Sequence, residues 1–185
     1  MPITTLDPKT ALVVIDLQNG IVALPVVHPA ADVVAKSRSL AEAFRAQNLP
    51  VVLVTVAPTK LRRADSVRNM PSLPSGWTDL VPELGAQPSD HRITKESWGA
   101  FSGTGLEAWL KSHGITQIVL CGIATSIGVE TTARQAYEAG FNIAFAIDAM
   151  SDMVAEAHQN SVTRIFPRLG ETGATEDIVG KLGAA

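Results

Sequence analysis

Three stretches of this 185-residue chain carry side chains that could do polar chemistry. Asp16 is an acid that interrupts the apolar run at residues 11–17, and Lys95 closes the short run at residues 91–95. The third stretch is residues 119–134, VLCGIATSIGVETTAR. It reads as a buried strand entering a tight turn and then a helix N-terminus. Such a turn gathers free backbone N–H groups and the positive end of a helix dipole around one point. That is a seat for a developing oxyanion, a carboxylate or a carbonyl oxygen. The first-turn position that could present a nucleophile holds Gly128, and the only cysteine, Cys121, lies further back in the strand. An apolar strand setting raises a thiol's pKa and makes it inert, so Cys121 reads as core. The stretch is built for polar catalysis without an obvious attacking group.

A buried carboxylate at Asp16 is expensive unless paired, and Lys95 could supply the pairing charge. The alternative is that Asp16 caps a loop or bonds Asn19 and the following backbone, while Lys95 is solvated. Trp98 and Phe101 follow Lys95 directly and are expected as pocket walls; Trp77 is open between wall and core.

The elements that must position these groups alternate between strand and helix. Continuous apolar runs at 11–17 and 51–56 suit strands covered on both faces, as do 117–121 and 142–148. A short strand is expected at 91–95 and another near 170–173. Helical spacing covers 32–47, 106–112, 126–139, 155–165 (halted before Pro167) and 175–182. Residues 57–90, with prolines at 58, 71, 74, 82 and 88, form a long connection read as a functional loop or an oligomer contact. The alternation predicts right-handed crossovers and one domain over residues 1–185: a three-layer α/β/α fold around a mostly parallel sheet. Ligands of such sheets sit beyond the carboxyl ends of the strands, where Asp16, Lys95 and the 122–128 turn all fall.

Composition narrows the class. With 46% hydrophobic residues and a net charge of −3, the chain is globular and shows no basic block for nucleic acid. No apolar run approaches a membrane span, and the N-terminal residues lack a secretory pattern, so a cytoplasmic protein is expected. One cysteine suits a reducing compartment. His28, His91, His113 and His158 show no ligand spacing, so neither metal nor cofactor is expected.

Residues 13–18 (VVIDLQ), 93–101 (ITKESWGAF) and 122–134 (GIATSIGVETTAR) resemble the three signature segments of the isochorismatase-like hydrolases, in order and spacing, from about residue 10 to about residue 170. The resemblance implies a Rossmann-like, six-stranded sheet in the order 3-2-1-4-5-6, with Asp16 and Lys95 catalytic. It implies a non-proline cis peptide between Ile123 and Ala124, and substrate contacts from Gln18, Ile123, Ala124 and Thr125. Cysteine hydrolases of that family, such as nicotinamidases, carry their nucleophile where this chain has Gly128. Isochorismatases proper replace it by glycine and need no covalent intermediate. The resemblance therefore points to Asp16 as general acid on a vinyl-ether-like bond, with Lys95 holding Asp16 or a substrate carboxylate.

Two departures qualify the substrate. Isochorismatases carry a glutamine before the proline after strand two, where this chain has Ala57. The Asp-x-His pair that supplies metal ligands in nicotinamidases is also missing. Arg62, Arg63 or Arg68 could meet a substrate carboxylate, or form a solvated face. Two alternatives stand beside the leading one: amide or ester hydrolysis by water activated at Asp16, and a catalytically silent fold that binds a small acid. A small-molecule substrate and self-association are expected.

Overall fold

The computed structural model describes residues 3–57 and 73–182. Its six strands are β1 (Thr10–Ile15), β2 (Val51–Val56), β3 (His91–Lys95), β4 (Gln117–Ile123), β5 (Asn142–Ser151) and β6 (Glu171–Gly173). They form one parallel sheet in the order β3-β2-β1-β4-β5-β6, the expected order. The helices are α1 (Asn19–Val22), α2 (Ala30–Ala46), α3 (Leu106–Ser112), α4 (Glu130–Glu138), α5 (Ala155–Asn160), α6 (Phe166–Leu169) and α7 (Thr175–Lys181).

Every residue of β1 and β4 is buried, because helices cover both faces of the sheet centre. Side-chain alternation splits β1 between two cores. Leu12 and Val14 pack with Val33, Leu40 and Phe44 of α2 and Ile178 of α7. Ala11, Val13 and Ile15 face Leu106 and Leu110 of α3, Val129 and Ala133 near α4, and Phe166 of α6. Cys121 lies wholly inside the first of these cores, and burial pushes its thiol up to about 12. Among the described residues no helix is long and apolar enough to cross a membrane.

The structure corrects several boundaries. The first strand stops at Ile15 because Asp16 takes a left-handed backbone, φ 53°. β4 runs on to Ile123 and β5 to Ser151, with a register shift between Leu120 and Gly122. Gly122, at φ 118°, tolerates no side chain, since a Cβ there would strike the Ile15 backbone of β1. The helix after β4 opens with a π turn, Thr125–Val129, before α4. Pro167 does not end the helical region that begins at Ala155. A second π turn, Ser161–Ile165, widens the chain ahead of α6, and Pro167 falls in its first turn, where no N–H donor is needed. Of the long connection, residues 58–72, which include Arg62, Arg63 and Arg68, lie outside the described residues.

Candidate active site

Asp16 is the first residue beyond β1, and its left-handed backbone lifts the carboxylate out of the strand's alternation onto the carboxyl end of the sheet. Its N–H still donates to the Val54 carbonyl at 2.9 Å, which anchors the turn to β2. Lys95 ends β3, two strands away, and its ammonium crosses the end of β2 to meet Asp16 Oδ2 at 2.8 Å. Lys95 Nζ also donates to the Ser97 carbonyl at 3.1 Å. Both side chains are buried.

Asp16 Oδ1, by contrast, has no hydrogen-bond partner among the described residues. Burial is the main influence on this carboxyl and outweighs the attraction and hydrogen bond of Lys95. Its pKa rises from 3.8 to about 6.

The third strand end brings in Gly128, in the π turn after β4. A Cβ at position 128 would lie 3.4 Å from Asp16 Oδ2 and 2.9 Å from Ile15 Cγ2. A side chain at 128 would press on Ile15, and its absence brings the turn's backbone up to the Asp16 carboxylate. The Ile123–Ala124 peptide is cis.

Asp16, Lys95 and Gly128 open onto a cavity of about 240 Å³. Most of its wall is apolar: Ile21 and Leu24, Val56 and Ala57, Trp77 and Trp98, then Ile123, Ala124, Ile127 and Met153. Trp98 stands at the rim, 66% exposed. A larger cleft of about 570 Å³ runs along the β2–β3 edge. Its polar groups are threonines, Asp79 and Arg92, and it holds none of Asp16, Lys95 and Gly128, so size alone does not mark the site.

Three residues expected to touch substrate are placed elsewhere. The Gln18 amide is wholly buried and braces the backbone: Oε1 accepts from Val56 N at 2.8 Å while Nε2 donates to the Val56 and Trp77 carbonyls. Phe101 packs on Phe141, with ring centroids 5.9 Å apart, and its N–H donates to Gln135 Oε1, away from the cavity. Thr125 is buried, and its hydroxyl donates to the Ser151 carbonyl behind the turn.

Trp77, left open by the sequence, is a wall. Its indole lies so close over Gly20 that any side chain there would overlap it, and Gly20 N donates to its carbonyl at 3.0 Å. Leu24 and Met153 also line the cavity, from loops with no periodicity that could have announced them. Among the described residues no group of three or more His, Cys, Asp or Glu is placed to hold a metal ion.

The model of the Isochorismatase domain matches residues 10–177, which takes in all three strand ends. The chain is 46% identical over 182 residues to the uncharacterized isochorismatase family protein YecD of Escherichia coli O157:H7, covering 94% of this chain and 96% of that protein. A solved isochorismatase family protein from Burkholderia thailandensis superposes with a TM-score of 0.92 at 46% identity, covering 96% of this chain and 97% of the other. Nicotinamidase 3 of Arabidopsis thaliana is 26% identical over 171 residues, 86% of this chain and 83% of that protein. With matches of this span, the chain belongs to the isochorismatase-like family of hydrolases.

Proposed function

We propose that this hydrolase works without a cysteine nucleophile, with Asp16 as general acid in the hydrolysis of a small vinyl-ether-like substrate. The observation that carries the reading is the buried Asp16 carboxyl, its Oδ1 without a hydrogen-bond partner among the described residues, on a cavity that Gly128 lines with no side chain to attack from. A thiol at position 128 would have attacked a carbonyl. Without it, the site offers the Asp16 carboxyl, beside Lys95, in a mostly apolar cavity.

Oδ2 faces Lys95, so the transferable proton sits on Oδ1. Asp16 gives it to the terminal vinyl carbon, and the ether carbon becomes an oxocarbenium ion. Water adds to that carbon and its surplus proton returns to Asp16. The hemiketal then breaks to an alcohol and a ketone. Lys95 stabilises the carboxylate that forms as the proton leaves, while backbone N–H groups of Ala124 and Gly128 bind a substrate oxygen. A group titrating near 6 is about one-tenth protonated at pH 7, enough to serve as an acid near neutrality.

Likeness to a protein named nicotinamidase favours a second reading, in which ionised Asp16 activates water against an amide or ester. One assay separates them: hydrolysis of isochorismate and a panel of vinyl ethers, amides and esters from pH 5 to 9. The acid reading expects vinyl-ether cleavage whose rate falls about tenfold per pH unit above pH 6. Amide or ester cleavage that rises through pH 6 to a plateau supports the base reading. Full activity in Asp16→Asn defeats both.

A further inference from the structure

Behind the pocket turn lies a set of buried polar groups that the proposed chemistry does not use. Thr125 has one hydroxyl proton, and it goes to the Ser151 carbonyl at 3.0 Å. The same oxygen lies 2.9 Å from Nδ1 of His158 on α5. With its proton committed, the hydroxyl can only accept from the ring, so Nδ1 must carry a hydrogen. Burial, then the neighbouring His28, hold the His158 pKa below the usual histidine value, which leaves the ring neutral near pH 7. Nδ1–H is then its one donor.

Neighbouring contacts tie the same turn to the end of β5. Asp152, also buried, accepts from Ser126 N at 2.7 Å and from Val154 N at 3.3 Å. Ser151 Oγ clamps His28 at two points, accepting from its N–H at 2.9 Å and donating to its carbonyl at 3.2 Å. The His28 ring meets His158 edge to face, centroids 4.7 Å apart. These contacts converge on three parts of one cavity wall: the segment carrying Leu24, the 123–128 turn, and Met153.

We propose that His158 is a positioning residue for this wall, holding Thr125 through an Nδ1–H donor and so fixing the turn that faces Asp16. The inference rests on reading the 123–128 turn as the substrate-facing wall, but not on the acid chemistry of Asp16. The groups that face the His158 ring are Thr125, His28 and Asp152, from the π turn, the segment before α2 and the end of β5.

Two measurements test it without a substrate. In the parent protein at neutral pH, long-range 15N–1H correlation should show His158 as the Nδ1–H tautomer; the Nε2–H tautomer overturns the proposal. The second compares two amide replacements by hydrogen exchange at Ser126, Ile127 and Val129. His158→Asn puts its amide nitrogen where Nδ1 stands and should keep exchange within about twofold of the parent. His158→Gln sets the amide one atom too far and should speed exchange about tenfold, the cost of one net hydrogen bond. Equal exchange in both variants overturns the proposal. Should His158→Gln not fold, the parent's tautomer still decides. Failure of the acid mechanism at Asp16 would leave both readouts as they are.

Discussion

Among the described residues two carboxylates are buried against a cation, and they are built differently. Asp90 is saturated: Arg45 donates to Oδ1 at 3.0 Å and to Oδ2 at 2.7 Å, and Gln87 N adds a bond to Oδ2 at 2.7 Å. Among the described residues Asp16 has one cationic partner, Lys95, on Oδ2, and nothing on Oδ1. The first arrangement ties α2 to the segment before β3. The second leaves a buried oxygen without a partner on a residue that lines a cavity, and a pKa near 6. A forked guanidinium suits a fixed joint, whereas a single ammonium leaves its partner free to exchange a proton.

The largest expected effect breaks the comparison at Asp16. Asp16→Asn should cut kcat/KM by roughly 10²–10⁴-fold, the usual worth of a general acid, while circular dichroism shows the fold intact. Asp90→Asn should do the reverse. It strands a mostly buried Arg45 and should cost about 2–4 kcal/mol in denaturant unfolding, with kcat/KM within about twofold. A dead but stable Asp90 variant, or an unstable but active Asp16 variant, would erase the distinction.

A smaller effect concerns pH. The folded pKa of Asp16 lies above its unfolded value, so its stabilising contribution is complete below about pH 4 and is lost as pH rises through about 6. The shift corresponds to about 3 kcal/mol between those limits. Unfolding curves of the parent and Asp16→Asn should diverge over that window. Lys95→Met removes the attraction that favours the ionised carboxylate, so the alkaline limb of the rate profile should move upward. Smallest is Cys121→Ala. Its thiol is wholly buried and held protonated, so the variant should lose about 1 kcal/mol of stability and no activity.

Which parts of this were legible in the sequence follows from what each residue does. Continuous apolar strands and their alternation with helices fix the layers, so the sheet order expected from the signature segments is the one observed. Asp16 and Lys95 stand out because a charge in an apolar run demands a partner. Gln18, Phe101 and Thr125 lie in the same segments, yet sequence proximity does not say which way a side chain points. Backbone partners behind the cavity capture Gln18 and Thr125, and the second core takes Phe101. Trp77, Leu24 and Met153 reach the cavity from irregular segments whose course depends on docking against α1 and β5. The π turns escape notice because a helical hydrophobic pattern does not register one extra residue per turn.

The central claim is that Asp16 holds an exchangeable proton near neutral pH. The most direct measurement is a 13C NMR titration of the aspartate side-chain carboxyls, with Asp16 assigned by its disappearance in Asp16→Asn. The account predicts an Asp16 midpoint near 6. A midpoint at or below the ordinary aspartate value of about 4 would contradict it.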